Sequence, residues 1–244
     1  MNSSCALDIF IKSFLEEFKK NLHSFQNSTQ MIKACLFDLD GVIVDTAKFH
    51  YTAWKKLANE MGFDFTIQDN ERLKGISRMA SLEILLEIGK ITKTDEEKNA
   101  MAEQKNENYL SLITEMGPEE ILPGAAEFLK ECRKNDIKTA LGSASKNAMT
   151  ILTRLELTDL FDAIIDGTNT TMAKPHPEVF LTGAEALSIP PRQCVVFEDA
   201  EAGVEAALAA GIKCVGIGSP QNLGNAHLVI DGLHQMNIGL LSNL

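Results

Sequence analysis

The sequence predicts an α/β protein whose core is a doubly wound, Rossmann-like parallel sheet, with a helical insertion after the first strand. Three observations indicate this fold. A short apolar run ends at residue 37 and is followed by Asp38-Leu39-Asp40-Gly41. Apolar residues then recur at helical spacing over residues 46–117, where no run is typical of a strand. Beyond residue 117, apolar runs alternate with helical patterns. Such alternation predicts right-handed crossovers and helices on both faces of the sheet.

The segment before the first strand, residues 1–30, has apolar residues at helical spacing with charged residues between them. This pattern predicts an amphipathic helical extension. Met31 stands just ahead of the first strand, so we expect a chain that begins there to fold and to work. We therefore divide the sequence into the extension of residues 1–30, a core domain of residues 31–45 and 118–244, and a helical domain of residues 46–117.

The elements after residue 117 are predicted in a regular order. They are a helix from near Gly124, a strand at 137–141, a helix after Ser145, a short strand near Ile164, a helix at 177–187, a strand at 194–197, a helix at 200–210 and a strand at 213–217. In sheets of this kind ligands bind beyond the carboxyl ends of the strands. The candidate site residues of the core domain lie at such ends.

Composition limits the possible partners. The chain has 244 residues and a formal net charge of −11, which argues against binding to nucleic acid or to an anionic membrane. Its five cysteines have no metal-type spacing, which favours a reduced cytoplasmic protein. Residues 1–30 lack the pattern of a secretion signal, and no apolar run is long enough to span a bilayer. We expect a monomer that binds a small molecule.

Two carboxylates follow the first strand. Asp38 and Asp40 are two residues apart and therefore emerge on one side, next to a glycine that permits a sharp turn. Carboxylates at the end of a buried strand need a metal, a cation or a proton to compensate them. Asp38 as nucleophile and Asp40 as acid or base would suit formation and breakdown of an aspartyl phosphate. An ordinary Asx turn is the alternative.

Later strand ends supply complementary groups. Ser143, Ser145 and Lys146 offer hydroxyl, backbone and ammonium donors to phosphate oxygens, although Ser145 also suits a helix N-cap. Lys174, before a proline-stiffened turn, could neutralise a phosphoryl group, or could be a solvent-exposed lysine. Glu198 and Asp199 are hard oxygen ligands of the kind that Mg²⁺ prefers, with Asp199 as an N-cap the competing interpretation.

These residues, in this order, resemble the four motifs of the haloacid dehalogenase superfamily of phosphotransferases, over a region from about residue 32 almost to the end. The resemblance implies that Asp38 is the nucleophile and Asp40 the acid/base, and that Ser143 and Lys174 hold the phosphoryl group. It implies Mg²⁺ bound by Asp38, the backbone of Asp40, Glu198 and Asp199. The helical domain would then be a cap domain.

Asp45-Thr46 with His50, residues 73–78, Lys105-Asn106 with Tyr109, and residues 143–147 make the sequence similar, within the superfamily, to the β-phosphoglucomutases. The similarity implies substrate-binding positions at Asp40, Thr46, His50, Lys74, Gly75, Ile76, Arg78, Lys105, Ser145, Lys146 and Asn147. It also implies interconversion of β-glucose 1-phosphate and glucose 6-phosphate, with β-glucose 1,6-bisphosphate as intermediate and activator. Ala200 departs from the family, which often has serine there. A sugar-phosphate phosphatase and a non-catalytic binding module on the same fold are the alternatives.

Overall fold

A computed structural model of the protein describes residues 31–73 and 76–244, and its centre is a six-stranded sheet. The strands are β1 (Ala34–Phe37), β2 (Lys138–Gly142), β3 (Ala163–Ile165), β4 (Cys194–Glu198), β5 (Lys213–Ile217) and β6 (Leu228–Ile230). Their order is β3-β2-β1-β4-β5-β6, and every pairing is parallel. The direction in which strands are added changes at β1, because β2 and β3 lie on one side of it and β4, β5 and β6 on the other.

Four helices follow β1 along the chain and precede the second strand. They lie within residues 46–117, which we call the helical segment. They are α1 (Ala47–Glu60), α2 (Ile67–Glu71), α3 (Arg78–Gly89) and α4 (Asp95–Ile113). The helices pack on a hydrophobic cluster of their own that includes Trp54, Leu57, Phe65 and Leu82. Capping boxes at Thr66 and Thr94 fix the starts of α2 and α4, because each threonine side chain accepts a hydrogen bond from a free backbone N–H.

The remaining helices cover the sheet. They are α5 (Ala125–Lys134), α6 (Ala148–Arg154), α7 (Glu178–Ala186), α8 (Glu201–Ala209), α9 (Pro220–Leu223) and α10 (Ile238–Ser242). Alternate residues of β1 face opposite sides: Phe37 packs in the cluster that contains residues of α5 and α6, and Leu36 in the cluster that contains residues of α7 and α8. The predicted doubly wound parallel sheet with a helical insertion is confirmed.

The sequence analysis did not predict β6, α9 and α10. Each has only three to five residues, too few to show a period of 3.6 or 2. The predicted extension of residues 1–30 lies outside the described residues, and the boundaries assigned to the domains stay predictions. No helix among the described residues is both long enough and apolar enough to cross a membrane.

Candidate active site

The register of the sheet places three strand ends side by side. Phe37 of β1 pairs with Leu141 of β2 on one side and with Phe197 of β4 on the other. The backbone N–H of Asp38 donates to the carbonyl of Phe197 at 2.9 Å, so the chain keeps its sheet pairing up to the first carboxylate. Asp38 and Glu198, which were predicted to act together, are therefore neighbours across two parallel strands.

Lys174 joins these two carboxylates below the surface. Its Nζ lies 2.6 Å from Asp38 Oδ1 and 2.7 Å from Glu198 Oε2, and the three side chains are 1%, 5% and 0% exposed, respectively. Burial lowers the pKa of Lys174, but the charges of Asp38 and Glu198 outweigh it and raise the pKa above its ordinary value. Lys174 is therefore a fixed cation, and its alternative interpretation as a solvent-exposed lysine is wrong.

The network contains more negative than positive charge. Burial, followed by the charge of Asp38, raises the pKa of Glu198 to about 7. Asp38, Glu198 and Asp199 each offer an oxygen, and these atoms all lie within 4.8 Å of one another. Three hard oxygen donors placed close together are the ligand type that Mg²⁺ takes in proteins. The residues that are present thus fit the predicted metal.

Gly41 makes room for one of these carboxylates. Its φ is +81°, and a Cβ on it would overlap with Asp199 Oδ2. The turn Asp40-Gly41 therefore packs directly on the Asp199 side chain. A glycine is needed here for two separate reasons, the left-handed backbone and the contact with the carboxylate.

We expect Gly41→Ala to weaken metal binding and Gly62→Ala to leave it intact. Both glycines have a φ above +80°, but nothing lies within 4 Å of a Cβ on Gly62. The backbone cost alone should lower the unfolding free energy of both variants by about 1–2 kcal/mol, because alanine disfavours that backbone region. Only Gly41→Ala displaces Asp199, and misplaced ligand groups cost roughly 10- to 100-fold in metal affinity. Urea unfolding and the Mg²⁺ dependence of turnover measure the two effects. Equal Mg²⁺ dependence in the two variants would contradict this role of Gly41.

Asp40 stands beside the pair and is held by Thr46. The Thr46 hydroxyl donates to Asp40 Oδ1. Burial, followed by the charge of Asp38, raises the pKa of Asp40 to about 6, while the hydrogen bond from Thr46 and the charges of Lys174 and Lys105 oppose the rise. A carboxyl group that titrates near neutral pH can both accept and release a proton.

Thr46→Val should move the acid limb of the pH profile to higher pH. The hydrogen bond from Thr46 lowers the pKa of Asp40, so its loss raises that pKa, and a base is then lost at a higher pH as the solution is acidified. On that limb kcat/KM should fall roughly 2- to 10-fold, the scale of one typical hydrogen bond within a protein. Thr52→Val is the matched control, since Thr52 donates only to the carbonyl of Lys48. If the acid limb of Thr46→Val does not shift, Asp40 is not the base that titrates on that limb.

The loop after β2 presents its hydroxyl groups in sequence. Ser143 Oγ accepts from the backbone N–H of Ser145 at 3.1 Å, and Ser145 Oγ accepts from that of Asn147 at 3.2 Å. Because both oxygens act as acceptors within the loop, their O–H groups remain as donors for a bound anion. Lys146 is exposed and lines the cavity next to them.

A second network connects α1 and α4. Lys105 Nζ lies 2.9 Å from His50 Nδ1, and it also stands 4.7 Å from the ring centre of Trp54 and 4.6 Å from that of Tyr109. Burial, and then the charge of Arg78, lowers the pKa of Lys105 to about 7. Burial, and then the charges of Lys105 and Arg78, holds the pKa of His50 well below its ordinary value. The neutral imidazole of His50 can thus accept from Lys105.

Arg78, at the start of α3, faces the sheet across a cavity of about 690 Å³ between the helical segment and the strand ends. Its Nη2 donates to Asn106 Oδ1 at 2.8 Å, and Asn147 Nδ2 donates to the same oxygen at 3.0 Å. Of the predicted site residues, those that line the cavity are Asp38, Asp40, Thr46, His50, Ile76, Arg78, Lys105, Ser145, Lys146, Asn147 and Asp199.

The other predicted residues divide into two groups. Ser143, Lys174 and Glu198 are buried and are not among the residues that line the cavity. Lys74 and Gly75 lie outside the described residues. Both competing N-cap interpretations are wrong, because the residue before α6 is Asn147 and the residue before α8 is Ala200, and neither side chain makes a capping hydrogen bond. In place of a cap, the N–H of Ala200 donates to Glu198 Oε1 at 3.2 Å.

The sequence analysis assigned no role to Asn106. A signal was available, because residues 99, 102, 103 and 106 share one face of a helix. The first three line the cavity, and Asn106 bonds to two residues that line it. Asn70 and Ser81 were also missed. Both are buried polar residues on the cavity wall.

Comparison with known proteins agrees with this architecture. A family model described as haloacid dehalogenase-like hydrolase matches residues 32–211. The β-phosphoglucomutase of Bacillus subtilis (strain 168) is 44% identical over 86% of this chain and 94% of its own length. A phosphorylated carbohydrates phosphatase of Thermotoga maritima is 33% identical over 86% of this chain and 93% of its own length. A crystal structure of β-phosphoglucomutase from Clostridium difficile superposes with a TM-score of 0.84 and 46% identity, over 87% of this chain and 98% of that one.

Proposed function

The chain belongs to the haloacid dehalogenase-like hydrolase family, and from that premise we propose that it is a phosphomutase that interconverts β-D-glucose 1-phosphate and β-D-glucose 6-phosphate. The observation that carries the proposal is the 44% identity to a β-phosphoglucomutase over 86% of this chain. A match of that extent includes most of the helical segment as well as the sheet. The sheet alone would not distinguish the members of the family, since one fold supports many reactions.

We assign the first step to Asp38 and Asp40. With its carboxylate phosphorylated, Asp38 gives the phosphoryl group to the C6 hydroxyl of β-glucose 1-phosphate. Asp40 removes the hydroxyl proton as the new P–O bond forms and the bond to Asp38 breaks. The product, β-glucose 1,6-bisphosphate, reorients in the site. Its C1 phosphate is then transferred to Asp38, and Asp40 gives the proton to the C1 oxygen. The pKa of about 6 suits Asp40 to both directions.

The fixed groups around Asp38 stabilise the phosphoryl group. Lys174 lies 2.6 Å from Asp38 and is buried, so its charge acts in a site with little water. The hydroxyl of Ser143 and the loop that follows it supply donors to the phosphoryl oxygens. Asp38, the backbone of Asp40, Glu198 and Asp199 would hold Mg²⁺, which would compensate negative charge of the phosphoryl group when bound.

A second phosphate needs a separate place. We assign it to Arg78, Lys146 and Asn147, which all line the cavity. Arg78 can grip two phosphate oxygens at once, which lysine cannot. We propose that the helical segment is a cap, and that its closure excludes the water that would otherwise hydrolyse phosphorylated Asp38.

The test is a coupled assay that follows glucose 6-phosphate formation from β-glucose 1-phosphate, with trace β-glucose 1,6-bisphosphate and Mg²⁺. Free phosphate is measured in the same samples. We expect isomerisation to exceed phosphate release by a wide margin. Phosphate release without isomerisation would replace the proposal by the second candidate, a sugar-phosphate phosphatase, which the 33% identity to the Thermotoga maritima enzyme supports.

A further inference from the structure

One amide oxygen connects both sides of the cavity. Asn106 Oδ1 accepts from Arg78 Nη2 at 2.8 Å and from Asn147 Nδ2 at 3.0 Å. Arg78 and Asn106 belong to α3 and α4 of the helical segment, whereas Asn147 immediately precedes α6 on the sheet. The hydrogen bond between Asn147 and Asn106 therefore joins the helical segment to the loop that follows β2.

The hydrogen bonds to Asn106 Oδ1 are of the kind that an oxygen atom of a bound anion would accept. Two donors from different elements converge on it, and both belong to residues to which we have assigned the non-reacting phosphate. The guanidinium of Arg78 is 22% exposed, and its second nitrogen, Nη1, lies 3.3 Å from Glu103 Oε2. A phosphate oxygen in place of Asn106 Oδ1 would accept the same two hydrogen bonds. It would do so with charge assistance, which makes such bonds roughly twice as strong as those to a neutral amide.

We propose that Asn106 is a positioning residue whose amide oxygen holds the place of the non-reacting phosphate between Arg78 and Asn147 and yields it when the sugar phosphate binds. The inference rests on the proposed function, which assigns a phosphate to these donors. The amide keeps both donors oriented and holds the helical segment on the sheet while the cavity has no sugar phosphate. Because the amide is neutral, the ligand displaces it readily.

The first test is Asn106→Asp, which converts the neutral acceptor into a charged competitor of the phosphate. We expect KM and the calorimetric Kd for glucose 6-phosphate to rise about 10-fold or more, since charge adds about 1.4 kcal/mol or more to a hydrogen bond of this kind. The value of kcat should fall by much less. Asn108→Asp is the matched control on the same helix, because Asn108 Oδ1 accepts from Lys56 Nζ, at 2.6 Å, and Lys56, unlike Arg78 and Asn147, does not line the cavity.

The second test uses Asn106→Ala and amide hydrogen exchange over α3 and α4. Without ligand, the variant should exchange faster than the wild type. Saturating glucose 6-phosphate should remove the difference, because the phosphate then supplies the missing acceptor. If Asn106→Ala still exchanges faster than the wild type when ligand is bound, Asn106 has a merely structural role and the inference is overturned. Equal affinities of Asn106→Asp and Asn108→Asp for glucose 6-phosphate would also overturn it. The two proposals can fail separately. If the wild type shows no mutase turnover but Asn106→Asp still weakens the binding of glucose 6-phosphate, the proposed function is refuted and this inference is supported.

Discussion

Asp38→Asn is expected to abolish mutase turnover and phosphate release together. The amide is a poor nucleophile and a weak ligand for Mg²⁺, so the variant loses both the acceptor of the phosphoryl group and a metal ligand. Removal of a nucleophile from an enzyme typically costs roughly 10⁴- to 10⁶-fold in kcat. Labelling by an acyl phosphate donor should also disappear. Labelled Asp38→Asn protein would show that the nucleophile lies elsewhere.

The same variant should not lose stability in metal-free buffer. Asp38 and Glu198 share one buried ammonium group, and the charge of Asp38 raises the pKa of both Asp40 and Glu198. Neutralising Asp38 relieves this repulsion, so we expect an unchanged or higher melting temperature. The melting curve thus separates lost chemistry from lost folding. Asp159→Asn, the same change at an exposed position in the turn before β3, serves as the control for activity.

Arg78→Ala should divide the two activities that Asp38→Asn removes together. It deletes the cation assigned to the non-reacting phosphate, and a pair of charge-assisted hydrogen bonds of this kind is worth about 3 kcal/mol, or roughly 10²-fold in kcat/KM. In the described structure Arg78 donates to Glu103 and Asn106, and neither of these residues is assigned to the site around Asp38. Hydrolysis of phosphorylated Asp38 needs only these residues and water, so phosphate release should persist or rise.

The control for this prediction is Arg72→Ala. Arg72 follows α2, and its guanidinium lies 3.4 Å from the exposed Glu87 on the outer surface. Its removal should leave both activities near those of the wild type. Glucose 6-phosphate formation and phosphate release are measured on matched samples of the three proteins. Equal loss of both activities in Arg78→Ala would move the assignment toward a phosphatase.

The sheet and the residues at its strand ends were predictable because each depends on local sequence. A buried parallel strand needs a continuous apolar run, and the residue after it necessarily lies at the ligand-binding edge. Asp38 and Glu198 were therefore located by counting along the chain. The short elements β6, α9 and α10 could not be located in this way.

The burial of Lys174 and the role of Asn106 depend on partners far away in the sequence. Lys174 is 136 residues from Asp38, and Asn106 is 41 residues from Asn147. No local pattern encodes such a pairing. The sequence around Lys174 would suit an ordinary surface lysine, and the sequence around Asn106 would suit an ordinary helix residue. Only the assembled fold shows that each side chain joins two others.

The place of β1 in the sheet has a consequence for folding. Although β1 comes first in the described chain, it lies near the middle of the sheet, and its residue Ala34 pairs with Lys138 and with Cys194. Both pairings close loops of more than 100 residues, and such a high contact order slows folding. During synthesis β1 must wait for β4, whereas the helical segment already has its own hydrophobic cluster. The helical segment should therefore become ordered before the carboxylates that it covers reach their places.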